Sequence, residues 1–391
     1  MQKKIIALAV AALASSAAFA QTNVTVYGIV DVGQAFVKSS AGFAADGSDV
    51  AGQRSVGRLD SNSSYIGFKG VEDLGNGLKA VFQLETAFAA DKGYWSSVDG
   101  TGRDSYVGLA GGFGTLVAGN LTHPLRGFGA KAELLPAAAG FGTLAAVTGT
   151  IAGVNTGADD RAKNAVAYIS PAFSGFTGVV AYVNGENKTN QTVTADAQNS
   201  RQWQVAGQYE NGPLFVGLGY HKSYDLGNTA AAAINSAFGA PAGTILGTID
   251  ARVIRLVASY TLPSNTKLTA LYDNTKATNI DAAGDNAKRN AWSVGVAQGF
   301  GKNTVGLEYG ASGQIKVNGD AASDTKSHII TALYTYDLSK RTTVVARASK
   351  LSNQDGINNN FYSSNNPVNN GGTSGFGSDY TGYMLGLRHA F

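Results

Sequence analysis

The chain has 391 residues, 30 basic and 27 acidic side chains, 51 glycines, 17 tyrosines, 17 phenylalanines, 7 prolines and no cysteine. A formal charge of +3 offers no sequence-wide reason to expect nucleic acid as a partner, and without cysteine no disulfide can supply stability. No later segment reaches the 18 or so uninterrupted apolar residues of a helical membrane span, so glycine, aromatics and alternating polarity point to sheet.

Met1-Gln2-Lys3-Lys4, the apolar run Ile5 to Ala14 and Ala18-Phe19-Ala20 before Gln21 form a charged region, a hydrophobic region and a small-x-small site. That pattern predicts a secretory signal peptide over 1–20, cleaved after Ala20. Loss of Lys3 and Lys4 leaves 28 basic against 27 acidic residues. Residues 21–391 are expected to form one domain.

The mature chain opens on period two, with Val24, Val26, Val30 and Val32 on one parity and Thr25, Tyr27 and Asp31 on the other. Alternation returns at Leu78 to Thr86, Gln202 to Glu210, Lys267 to Asp273 and Thr304 to Tyr309. Strand side chains alternate faces, so each segment has one apolar and one polar face. A soluble sandwich would alternate in the same way, and the connections decide between them.

Short connections with turn residues fall at 72–77, 111–114, 171–175, 211–213, 262–265, 299–302 and 337–340. Between them lie long stretches rich in Gly, Ala, Asn, Ser and Asp, at about 122–160, 185–200, 224–250, 277–289, 312–325 and 352–379. Short turns on one rim and long loops on the other are the habit of transmembrane barrels. Strands flanking seven short turns, plus one at each chain end, predict an all-β antiparallel barrel of about sixteen strands. Closure removes sheet edges and pairs every backbone group without water.

The final strand ends on Phe391, with Leu387, Leu385 and Tyr383 sharing its parity. Pairing with the first strand would close the barrel and seat Phe391 in an aromatic girdle; Tyr383 is expected at the membrane interface too. Trp203, Tyr209, Trp292 and Tyr309 read as girdle residues in preference to a sugar-binding slide, while Trp95, in a long loop, has no assigned role. The four histidines, His123, His221, His328 and His389, lack the spacing of a zinc site, and neither a G-x-S-x-G elbow nor a phosphate loop occurs. Neither catalysis, a metal nor a cofactor is expected.

Val26-Tyr27-Gly28-Ile29-Val30-Asp31, Ile66 to Gly75, Tyr106-Val107-Gly108-Leu109 with Gly112-Phe113-Gly114, Asn164 to Pro171, Leu338 to Thr342 and Gly386 to Phe391 occur in an order and spacing that resembles the general trimeric porins of Gram-negative outer membranes. The likeness covers essentially the whole chain. It implies a homotrimer embedded in outer-membrane lipid, passing small hydrophilic solutes and ions through a water-filled lumen. It also implies that a third extracellular loop, roughly Thr122 to Asp160, folds inward to narrow the pore, with basic wall residues facing acids on that loop.

Carried over by motif, Arg161 and Arg103 stand at wall positions. Tyr65 and Asn120 occupy two places where relatives often carry Arg. Lys69 and Lys79 are candidates to restore positive charge, with Arg58 nearby. Glu133 is the expected acid on the loop, which also carries Arg126, Lys131, Asp159 and Asp160. This arrangement predicts weak anion preference. Asp31 and Glu85 are expected simply to face the lumen. A barrel dedicated to one substrate, or to adhesion through its long loops, is the competing reading.

Overall fold

The computed structural model describes residues 23–44, 46–95, 102–189, 198–226, 234, 237–238, 248–281, 283–361 and 375–391. The expected signal peptide lies outside them. Sixteen antiparallel strands close on themselves, and no described helix is long and apolar enough to cross a membrane. The strands are β1 (Asn23–Ser39), β2 (Val56–Ser61 and Tyr65–Gly75), β3 (Leu78–Ala89), β4 (Ser105–Gly111), β5 (Gly114–Thr122), β6 (Arg161–Ile169), β7 (Phe176–Thr189) and β8 (Gln198–Asn211). They continue as β9 (Leu214–Tyr224), β10 (Asp250–Thr261), β11 (Thr266–Thr278), β12 (Asn286–Phe300), β13 (Asn303–Ser312), β14 (Ser327–Asp337), β15 (Thr342–Asn353) and β16 (Tyr380–Ala390).

All seven short turns join neighbouring strands at one rim. At Asn76-Gly77 both residues have positive φ, +52° and +78°, the backbone that matches strand twist in a two-residue hairpin. Long connections occupy the other rim and include two more than expected, at 40–55 and 90–104. Trp95 belongs to the second of these and pairs back onto Phe88. Strands β7 and β8, like β11 and β12, run further than the loop estimates allowed, because their alternation continues into polar residues.

β1 pairs with β16 from Ile29↔Ala390 to Ser39↔Tyr380, which closes the sheet. Phe391 exchanges backbone hydrogen bonds with Gly28 (3.2 and 3.0 Å), and its ring lies where a Cβ on Gly28 would be 2.5 Å away. The outer face carries the exposed apolar side chains, among them Val107, Leu218, Tyr383 and Leu385. Tyr182 and Trp203 pack together near the long-loop end, and Phe176 and Tyr209 near the short-turn end. Rings at both levels suit headgroup depth on each side of an apolar band.

The inner face is not uniformly polar. Residues 123–160 fold into the barrel and pack against one wall, joining Phe128, Leu135, Phe141, Leu144 and Val147 to Phe215, Val257, Leu271, Leu333 and Val345 in one buried cluster. Helix α1 (Pro124–Ala132) starts at a proline that needs no N–H partner, and buries Leu125, Phe128 and Ala132 on one face. Gly217 and Gly219 admit it: a Cβ there would stand 3.0 Å from the Phe128 ring and 2.5 Å from Leu125. The wall formed by β2 to β7 is left facing open space.

Candidate functional site

Between that open wall and the start of the inward loop lies a cavity of about 810 Å³, lined among others by Lys69, Lys79, Gln83, Asp104, Tyr106 and His123. Strand register explains the lining. Thr25, Lys69 and Gln83 are direct cross-strand neighbours, as are Asp73, Lys79 and Ala110, so their side chains share the inner face.

The wall arginines are held by acids on the same wall. Arg103 Nε donates to Glu85 Oε2 at 3.0 Å while its guanidinium lies 4.0 Å over the Tyr65 ring. The Tyr27 hydroxyl donates to the other Glu85 oxygen at 2.8 Å, and the Lys69 ammonium sits 4.8 Å from the Tyr27 ring. Arg161 Nε donates to Asp104 Oδ1 at 3.0 Å, and the same oxygen accepts from the Thr122 hydroxyl at 2.7 Å. Arg388 bonds Asp31 at 2.9 Å, and Arg58 bonds Asp60 at 2.8 Å. Asp31 and Glu85 are therefore working members of the wall, fixing where two guanidinium groups sit.

Arg103, Arg161 and Arg388 all act electrostatically on Tyr65, and Arg126 on Arg161. Tyr65 thus keeps arginine around it although it is not itself one. Asn120 takes the place of a wall cation, and its amide donates to the carbonyls of Gly102 and Arg103. That bond braces the backbone that carries Arg103.

Glu133 is placed away from this wall. It is buried, its carboxylate accepts from the backbone N–H of Leu144 at 2.8 Å, and it meets Glu308 of β13. Burial raises its pKa. The expected transverse field between Glu133 and the wall cations gains no support from this position. Asp159 and Asp160, at the loop's far end, lie near Arg126, whose guanidinium donates to the Asp159 carbonyl.

Three arginines missed by motif reasoning hold the inward loop. Arg255, wholly buried, donates from Nε to Asp273 Oδ1 (2.8 Å), from Nη1 to the Leu125 carbonyl (2.9 Å) and from Nη2 to Asp159 Oδ2 (2.7 Å). It thereby ties both stems of the loop to β10 and β11. Arg289 donates to the Val147 carbonyl (3.2 Å) and to Thr150, and Arg347 to the Ala139 and Phe141 carbonyls (2.8 and 3.1 Å). The sequence signal was present: each is a lone cation on inner parity between small or apolar neighbours, such as Val253 and Val257. A buried charge survives there only if it is paired and hydrogen-bonded.

A family model described as Gram-negative porin matches residues 7–356. Outer membrane porin protein 32 of Delftia acidovorans is 34% identical over the full length of both chains. The chain is a Gram-negative porin. An outer membrane porin protein of Bordetella pertussis is 32% identical, with 90% of this chain and 95% of that one aligned. The solved structure of an anion-selective porin from Comamonas acidovorans superposes with a TM-score of 0.69 at 29% identity, covering 95% of this chain and all of that one. The porin therefore resides in the outer membrane, its long loops facing outward, and works as a channel rather than an enzyme.

Proposed function

We propose that this porin is a general diffusion channel with weak anion preference, assembled as a homotrimer, whose selectivity is set on the wall by Arg103, Arg161, Lys69 and Lys79. The observation that carries the reading is that Lys69 and Lys79 line the cavity on the same wall that carries Arg103, stacked 4.0 Å over the Tyr65 ring, and Arg161, bonded to the cavity-lining Asp104. Charges lining a narrow passage act on ions within the Debye length, about 8 Å at physiological salt. Arg103, Arg161 and Arg388 each have an acid partner, which keeps the preference weak, while Lys69 and Lys79 line the cavity without an ion pair among the described residues. The similar porin from Comamonas acidovorans, described as anion-selective, supports the sign.

Reversal potential in a salt gradient across a planar bilayer tests the reading. The wild type should favour anions, more strongly in dilute salt, and Arg103→Gln with Arg161→Gln should move the potential toward cations. A wild-type channel that selects cations would overturn the sign. Three identical subunits by native mass measurement are the expected assembly.

A further inference from the structure

The lumen wall that the inward loop leaves open carries a strip without a polar side chain. Val71, Val81, Gly108, Val117, Ala167 and Ala181 are successive cross-strand neighbours on β2 to β7, and all but Gly108 line the cavity. Adjacent strands lie about 4.8 Å apart, so the strip runs about 24 Å around the wall. Its parity is the inner one, shared with Lys69 and Lys79, whereas Phe68, Leu116, Val166 and Val180 of the same strands are exposed on the outer face.

The interior of a porin barrel is polar as a rule, and strands apolar on both faces normally have both faces covered. On the opposite wall the inward loop supplies that cover, since Phe128, Leu135 and Phe141 join the cluster there. On this wall, among the described residues, the apolar cluster around Val117, Ala167 and Ala181 is made of strand residues alone, and Val71 beside it is 47% exposed. Two cations flank the strip. Lys69 stands one inner position from Val71 toward the long loops, and Lys79 one inner position from Val81 toward the short turns, each about 7 Å along its strand. Neither has an ion pair among the described residues: the Lys69 ammonium lies 4.8 Å from the Tyr27 ring, and Asp73, opposite Lys79, accepts instead from the Gly75 N–H at 2.9 Å.

We infer that this strip and its two lysines form a transit site for amphipathic monoanions, with aromatic monocarboxylates as the class that fits. The ring lies on Val71, Val81 and Val117, while the carboxylate meets Lys69 on entry and Lys79 on exit. Apolar lining with a few placed charges is the usual make-up of a small-molecule site, and here removal of the ring from water adds to the attraction of the ammonium groups. A polyhydroxylated anion gains the same lysines but loses water from its hydroxyls against the valines. The strip therefore discriminates between anions of equal charge. The inference deepens the anion-preferring reading and rests on it.

The test measures how long single solutes reside in the full porin, read as brief blocks of potassium chloride current across a planar bilayer, with benzoate, gluconate and neutral benzamide as probes. The wild type should hold benzoate several times longer than gluconate and show no resolved blocks with benzamide. Val71→Thr, Val81→Thr and Val117→Thr should each shorten benzoate residence about fourfold, the effect of roughly one buried methyl group, while gluconate residence is no shorter and chloride conductance and reversal potential stay at wild-type values. Lys69→Gln with Lys79→Gln should shorten the residence of both anions. The conductance step reports folding, and should Val81→Thr or Val117→Thr misfold, Val71→Thr, at an exposed position, still carries the test. Equal residence of benzoate and gluconate in an anion-selective wild type, unchanged benzoate residence in the folded threonine variants, or benzamide blocks as long as those of benzoate would each overturn the inference and leave the channel reading intact. A cation-selective wild type would overturn the sign of the channel reading and this inference with it.

Discussion

Arg255 and Asp273 face each other across neighbouring strands with no solvent on either side chain, Nη2 2.7 Å from Oδ2. The same guanidinium holds Asp159, and Asp273 accepts from the Gly149 N–H at 2.8 Å, so one ion pair fixes the loop at several points. Arg255→Met would leave two carboxylates without their cation and should cost about 3–5 kcal/mol. The barrel should still close, since its ladder does not pass through this contact. Single-channel recordings should then show multiple conductance levels and flicker where the wild type shows one level, with Arg255→Lys intermediate.

His123 caps the start of α1, its Nδ1 2.7 Å from the Gly157 carbonyl and its ring 5.4 Å from that of His221. Burial holds its pKa down at about 4, with Asp159 and Arg126 acting in opposite directions. A depressed histidine means that the fold favours the neutral ring. Its contribution is fully present above the ordinary value near 6.5 and is lost as pH falls through about 4. Acid should therefore loosen the loop stem over that window, raising conductance noise. His123→Gln should flatten that acid response while leaving conductance at neutral pH near wild type.

Glu133 and Glu308 meet where the loop turns against β13, and the Leu134 N–H donates to Glu308 at 2.9 Å. Since burial raises the Glu133 pKa, the folded loop favours its protonated form. That contribution is complete below the unfolded value near 4.5 and disappears as pH rises through the folded one. Glu308→Gln removes the second carboxyl's charge while keeping an acceptor for Leu134. The variant should resist alkaline loosening better than the wild type, as read by the pH at which conductance becomes unsteady.

Phe391 is anchored by backbone bonds to Gly28 and by its ring over that glycine. Deleting Phe391, or replacing it with Asp, should lower the yield of assembled porin in the outer membrane, because the closing seam loses its last rung and its interface ring. Gly28→Val should do the same by displacing the ring. Wild-type yield from the deletion would make Phe391 a dispensable terminal residue.

The barrel was legible in the sequence because its causes are local. Alternation of Val24, Val26, Val30 and Val32 against Tyr27 and Asp31, and turn residues such as Asn76-Gly77, report strand and hairpin without reference to distant residues. Family motifs drew attention to Arg103, Arg161, Lys69 and Lys79. They could not reveal that Glu85 and Asp104 hold the two arginines, since those partners are 18 and 57 residues away and meet only when strands align. The inner wall was harder still. Val253, Val257 and Leu271 are apolar on the lumen side because the 123–160 loop covers them, and Arg255 is tolerated among them because that loop brings Asp159 and a carbonyl to it. Period and turn chemistry determined the shell; the packing of one loop against one wall, a matter of long-range burial and charge pairing, decided what the shell encloses.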